Sequence, residues 1–385
     1  MENFVLQGWL PERPFLNSRT RITAFGSCFA AHLVNYLRQI GYDVARDRHP
    51  EIYISSMGEG LVNTYALRQQ FEWALEDLEP PENLWYGFRA EEFGYRPEIK
   101  ERTRKVFLET DFFVITLGLS EVWYDEKTGG VFWRAVPMRL YDPSRHRFRV
   151  CSFDETKQNI RRICELIFKH SPQARVLFTL SPIPLAATFR PVSSMTANSA
   201  SKSILRAALD EFLGENSEIL NKKIFYLPSY EIFNELFPNK FTDDNRHPSD
   251  DLILFFLKLF EAIYCETPLS LDDVGSLFRE TREKNIASLS GAAGSEKPSP
   301  LQKSLDVEER VRAVIARLFE LSPEEAKGQL RIGNPPRWDS IGHLELLVGI
   351  EEEFGIRFPT YEIAGLNTVE AISEAVRAQN GHQSG

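Results

Sequence analysis

A doubly wound α/β domain built on a parallel sheet, followed by a small all-α bundle, is the architecture this sequence predicts. Three observations carry the prediction. Short β-rich runs alternate with helical patterns through the first two-thirds of the chain. Several of those runs are apolar throughout, as strands covered by helices on both faces must be. Composition then shifts at "NIASLSGAAGSEKPSP", a Ser/Gly/Ala/Pro-rich stretch with no apolar period, beyond which only helical periodicity remains. A chain of 385 residues is expected to hold two or three domains. The expected boundaries are 1–280 for the α/β domain, 281–304 for a flexible linker and 305–380 for the bundle.

Element by element, "RITAFG", "DFFVITLG", "ARVLFTLS" and "KKIFYLP" read as strands. Helices are expected over residues 30–40, 61–78, 156–169, 202–213 and 250–264. In such an alternation the site lies beyond the carboxyl ends of the strands. "DEKTGGVFW" reads as a hairpin forming a wall over that site. In the bundle, Val311, Val314, Ile315, Leu318 and Phe319 make one helical face. Ser322-Pro323-Glu324-Glu325 has the form of a capped helix start serving a short turn. A further helix should begin near Ser340, bury Ile341, Leu344, Leu347 and Val348, and end at Gly355. Thr368 should cap a last helix carrying Val369, Ile372 and Val376.

Charge and composition narrow the function classes. The 45 basic and 55 acidic residues give a net charge of -10, which argues against nucleic acid or an anionic membrane as the main partner. Cys28, Cys151, Cys164 and Cys265 form no C-x-x-C pair and no disulfide-like framework. The 7 histidines show no metal-ligand spacing, so no metal is expected. "MENFVLQGWLPERPFL" lacks the basic and apolar regions of a secretory signal. "DLILFFLKLFEAIYC" is too short to span a bilayer and is interrupted by Lys258 and Glu261. A cytoplasmic protein without a membrane span is the expectation.

Two serines carry the chemistry. In "RITAFGSCFAAHL" a strand stops at Gly26 and turns at once into a helix, leaving Ser27 at the corner. A serine there is exposed at the sheet's carboxyl edge, and its own N–H can face a reacting carbonyl. Its hydroxyl needs a base. In "DDNRHP", His247 is a candidate base and Asp244, three residues before it, the group that fixes the imidazole's tautomer. The plainer reading of Asp-x-x-His before a helix is a cap beside an exposed histidine. Asp243 competes with Asp244 at helical spacing, Cys28 reads as a packing residue, and His32 reads as a partly buried residue with its polar groups satisfied. The second serine, Ser340, stands in "RWDSIGHLELLVGIEEEFGIRF", where Asp339-Ser340 precedes an amphipathic helix. An N-cap role is the plainer reading there too, although Asp339 fills it without the serine.

That C-terminal pattern resembles acyl carrier proteins over about residues 305–379. The resemblance implies a four-helix bundle with 4'-phosphopantetheine attached covalently to Ser340, at a helix N-terminus suited to a phosphodiester. It also implies a phosphopantetheinyl transferase and an acyl-loading enzyme as partners. The N-terminal blocks "AFGSCFAAHL", "VNTYALRQ", "VITLGLSEVW", "FTLSPIPLAATF", "SKSILRAAL", "LPSYEIF" and "DDNRHPS" resemble, in order, those of the GSCFA family, related to SGNH (GDSL-like) esterases and acyltransferases. That resemblance implies a three-layer α/β/α domain and gives Ser27, Asp244 and His247 the catalytic roles. For the oxyanion it points to Ser27, to Gly60 and Asn63 in the second block, and to Ser120, which stands where better-known SGNH enzymes carry asparagine.

Other residues have plainer structural readings. Arg68 and Glu231 read as a buried ion pair, Ser181-Pro182 as a strand-end turn, and Lys202-Ser203 as a helix start. Residues 301–385 hold 9 basic and 14 acidic residues, with Glu345 and Glu351 to Glu353 making an acidic face. Arg145, Arg147 and Arg149 in "SRHRFRV" are a candidate docking patch for it, against the simpler reading of a solvated strand face. Together the two serines imply acyl traffic: a serine acyltransferase moving an acyl group from a carrier-bound thioester to a hydroxyl or amine of a small molecule or glycan. The alternatives are an esterase or thioesterase, loading of the arm in the reverse direction, and a non-catalytic domain that only docks the carrier.

Overall fold

The computed structural model describes residues 5–26, 28–45, 62–81, 83–85, 95–133, 136–242 and 246–289. Toward the C-terminus it describes 307–319, 321–322, 324–331, 334–335, 338, 346–347, 349–350, 353–354, 356 and 366–382. The chain divides into two compact units, Met1–Ala293 and Gly294–Gly385.

The first unit is built on a five-stranded sheet of β1 (Arg21–Phe25), β2 (Asp43–Val44), β3 (Phe112–Leu117), β6 (Arg175–Leu180) and β7 (Ile224–Leu227). The strand order is β2-β1-β3-β6-β7, every pair parallel. β3, β6 and β7 are largely apolar on both faces because their alternate residues serve different cores. Phe113, Ile115 and Leu117 of β3 join one core, with Phe71, Phe107, Ile163 and Leu209. Phe112 and Val114 join the other, with Leu33, Phe233, Phe255 and Phe260. The first core is supplied by α2 (Thr64–Glu76), α3 (Pro97–Glu109), α4 (Phe153–His170) and α5 (Ser194–Glu215). The second is supplied by α1 (Cys28–Gln39), α6 (Ser229–Leu236), α7 (Asp250–Tyr264) and α8 (Leu271–Leu289). The result is an α/β domain with helices on both faces of a parallel sheet.

Local chemistry sets the helix starts. Ser152 and Glu155 form a reciprocal cap at α4, and Asn63 accepts from the Ala66 N–H at α2. β4 (Glu121–Asp125) and β5 (His146–Val150) form a separate antiparallel ribbon, and the chain after β4 turns back so that Val131 bridges Tyr124. α8 runs to Leu289, so residues 281–289 of the expected linker are helical; Asn285 holds that end by bonding the Asn239 backbone. Residues 290–304 lie outside the described residues.

The second unit has its own core. Val311, Val314, Ile315 and Phe319 of α9 (Val307–Phe319) pack with Trp338, Leu347, Ile350, and Ile372 and Val376 of α10 (Val369–His382). Ser322 and Glu325 cap each other at the one-turn helix Glu325–Lys327, and Thr368 accepts from the Ala371 N–H. Residues 346–347, 349–350 and 353–354 are helical, whereas the expected start of that helix at Ser340, with Ile341, Leu344, Val348 and Gly355, lies outside the described residues.

Candidate active site

Beyond the carboxyl ends of β1, β3 and β6 lies a cleft of about 530 Å³. In the strand order the connections reverse direction between β1 and β3, the position where open α/β sheets bind ligands. Two glycines shape this edge. Gly26 leaves β1 at φ +133°, and a Cβ there would stand 2.1 Å from the Thr116 carbonyl oxygen. Gly118 ends β3, where a Cβ would come within 2.7 Å of Val62; its N–H and that of Leu119 both donate to the Val62 carbonyl, at 2.8 and 3.2 Å.

His247, Asn63, Gly118 and Ser181 line this cleft. His247 is exposed, and its carbonyl accepts from the Thr242 N–H at 2.8 Å. Asn63 is buried: its carbonyl caps α2, and one of its two amide protons goes to the Trp133 carbonyl at 2.8 Å. Ser181 makes the expected turn, its hydroxyl accepting from the Ile183 N–H. Ser27, Gly60, Asp243, Asp244 and Ser340 lie outside the described residues, as does the side chain of Cys28.

Ser120 is buried and is not among the residues that line the cleft. Its N–H donates to the Ser201 hydroxyl at 2.7 Å and the two hydroxyls lie 3.0 Å apart, so its polar groups are engaged inside the fold. His32 is exposed on α1 and lines the cleft, rather than being partly buried. Lys202 lies inside α5 rather than at a helix start, buried, with Nζ 2.6 Å from the Gly118 carbonyl oxygen. No direct Arg68–Glu231 pair forms. Arg68 bonds Glu72 and Asn159, while Glu231 accepts from Arg206 and Tyr226.

The wall of the cleft comes from β4, β5 and the segment after β6. Trp123 and Phe148 sit opposite each other in the β4–β5 register, and Phe189 packs edge-on to Trp123 at 4.8 Å. Glu121 and Trp133 also line it. The three arginines of "SRHRFRV" are held by carboxylates of their own unit: Arg145 by buried Asp125, Arg147 by Glu126, Arg149 by Glu155. Cys151 and Cys265 are buried and free, and burial pushes both thiols up to about 12, which makes them inert. Among the described residues no helix is long and apolar enough to cross a membrane.

Comparison with known proteins gives three findings. A model of the GSCFA family matches residues 21–260. An acyl carrier protein of Thermosynechococcus vestitus is 28% identical over 71 residues, which are 18% of this chain and 88% of that protein. Among solved structures, a salicylyl-acyltransferase, SsfX3, from a tetracycline biosynthetic pathway matches at 10% identity and a TM-score of 0.28. That match covers 72% of this chain and 56% of the other.

Proposed function

This chain belongs to the GSCFA family, and from that premise we propose that it is a serine acyltransferase fed by its own carrier unit. The observation that supports this best is the position of His247, exposed in a cleft at the carboxyl edge of β1, the strand that runs through Gly26 to Ser27 in sequence. In this reading His247 takes the Ser27 proton as the oxygen attacks a thioester carbonyl. The C–S bond breaks, the proton passes to the departing thiol, and the acyl group rests on Ser27 as an ester. His247 then deprotonates an acceptor hydroxyl or amine, whose attack frees Ser27 and returns its proton. Asp244 holds the imidazole. Asn63 is the better side-chain candidate for the oxyanion, because it lines the cleft with a second amide proton beyond the one given to Trp133, while Ser120 is engaged with Ser201.

The carrier role belongs to the second unit, long enough to hold the 71-residue likeness to an acyl carrier protein. Ser340 is the proposed attachment point for 4'-phosphopantetheine, which when attached supplies a thioester on a long arm. The chain offers that point an anchor: Trp338, two residues earlier, is fully buried between α9 and the rest of the small core. A phosphopantetheinyl transferase and an acyl-loading enzyme are the proposed partners. Exposure of His247 favours a second reading, hydrolysis, since water reaches the same base.

One experiment separates these. The holo protein is acylated on Ser340, and the fate of the acyl group is followed by intact mass for wild type and Ser27→Ala. Acceptor-dependent loss in wild type, slowed about a thousandfold or more in the variant, is the expected result. Release as free acid without acceptor points to hydrolysis. Equal retention in both proteins refutes both enzymatic readings, and failure of any transferase to modify Ser340 refutes the carrier role.

A further inference from the structure

The cleft holds a buried charge that the acyl-transfer chemistry leaves unused. Glu121 on β4 is 8% exposed and faces the cleft. Both its oxygens accept from one donor, the Thr188 hydroxyl, at 2.8 and 2.9 Å. A single proton therefore serves a group with about four acceptor positions. Among the described residues no lysine or arginine forms an ion pair with it, and Arg190 acts on it only through space. Burial pushes this carboxyl up, the expected response of a thinly compensated charge.

The ribbon wall of the cleft that carries it is aromatic. Strand alternation puts Trp123 on the same face of β4 as Glu121, and the register puts Phe148 across from Trp123. Phe189, next in sequence to Thr188, packs against Trp123 at 4.8 Å and Phe148 at 5.4 Å. A carboxylate in a cleft with an aromatic wall complements an ammonium group on an apolar body, since both the charge and the rings attract a cation. The carboxylate is desolvated by the fold itself, so a ligand adds only the dehydration of its own cation.

We propose that this cleft binds a ligand carrying an ammonium group on an apolar body, with Glu121 as the specificity-determining residue and Trp123, Phe148 and Phe189 as the apolar wall. The inference deepens the acyl-transfer reading and rests on it for the ligand's source, an amino-substituted acyl group or an amino-bearing acceptor.

The test reads binding without turnover. The full chain is titrated calorimetrically with 3-phenylpropylamine and with 3-phenylpropanol, its neutral counterpart. Wild type should bind the amine at least about tenfold more tightly. Glu121→Gln should bring the two affinities together while leaving the alcohol within about twofold of wild type, and Phe189→Ala should weaken both alike. Equal affinities in wild type overturn the proposal, as does undetectable amine binding or a preference that survives Glu121→Gln. A protein that prefers the amine but transfers no acyl group refutes acyl transfer alone. One that transfers acyl groups without the preference refutes this inference alone. In turnover, Glu121-dependent discrimination for amino-substituted acyl groups or for amino acceptors identifies the source, and discrimination for neither removes Glu121 from the reacting ligand's site.

Discussion

Gly26 shows what one residue does at the strand edge. Its φ of +133° disfavours any side chain, and a Cβ 2.1 Å from the Thr116 carbonyl oxygen would force β1 away from β3 where the chain turns toward Ser27. Gly26→Ala should therefore cost about 2 kcal/mol or more, read as a lower urea midpoint with unchanged slope. A cost under about 0.5 kcal/mol would mean that the two strand ends part easily. The break at Gly26 between β1 and α1 was legible in the sequence because a strand, a glycine and a helix pattern follow one another closely. The residues that brace the neighbouring edge were not. Lys202 reaches Gly118 across 84 positions, and Ser201 engages Ser120 across 81, so neither partnership leaves a local pattern. Glu121 stands within "VITLGLSEVW", yet its bond to Thr188 depends on the segment carrying Thr188 folding over β4, which leaves no local pattern.

At the scale of elements, the ribbon that walls the cleft is tied to α4 by one carboxylate. Glu155 caps α4 through the Ser152 N–H and also accepts two bonds from Arg149 of β5 and one from Tyr65 of α2. Burial pushes this carboxyl up, but Arg149, Ser152 and Tyr65 together outweigh it and bring it down to about 2. A carboxylate lowered on folding stabilises the native state above its unfolded pKa, and that stability is lost as pH falls through the folded value. The window therefore runs from about pH 4.3 down to about 2. Glu155→Gln should lose about 1–3 kcal/mol at pH 7 and show a flatter stability profile across that window, measured by urea unfolding at stepped pH. Parallel profiles would mean the pair contributes nothing. The same network explains why "SRHRFRV" misleads as a docking patch: its arginines are matched to acids distant in sequence or on the adjacent turn. α3 and α8 went unread for a different reason. In "PEIKERTRKVFLE" only Ile99, Thr103, Val106 and Phe107 are buried, a stripe too narrow to stand out from its charges. α8 enters the domain core mainly through Val274, with Leu277 and Phe278 half-buried beside it.

For the whole molecule, the decisive fact is that each of the two units has a hydrophobic core of its own among the described residues. One small core draws only on residues from 307 onward, and the larger two draw only on residues before 280. Each unit therefore has its own source of stability, and what the covalent link adds is concentration. A flexible connection holds a tethered partner at an effective concentration on the order of millimolar. If residues 294–385 feed the cleft in cis, then the two units made as separate chains, each at about ten micromolar, should transfer acyl groups roughly a hundredfold more slowly than the intact chain. Raising the concentration of the separate carrier unit should restore the rate in proportion, because the link contributes effective concentration. Folding is checked independently, since Ile315 is fully buried and Ile315→Ala in the small unit should cost it about 2–5 kcal/mol while leaving amine binding in the cleft unchanged. Equal rates for linked and separate chains, at concentrations below saturation, would mean that the cleft takes its acyl donor from another molecule and that the carrier on this chain serves a different enzyme.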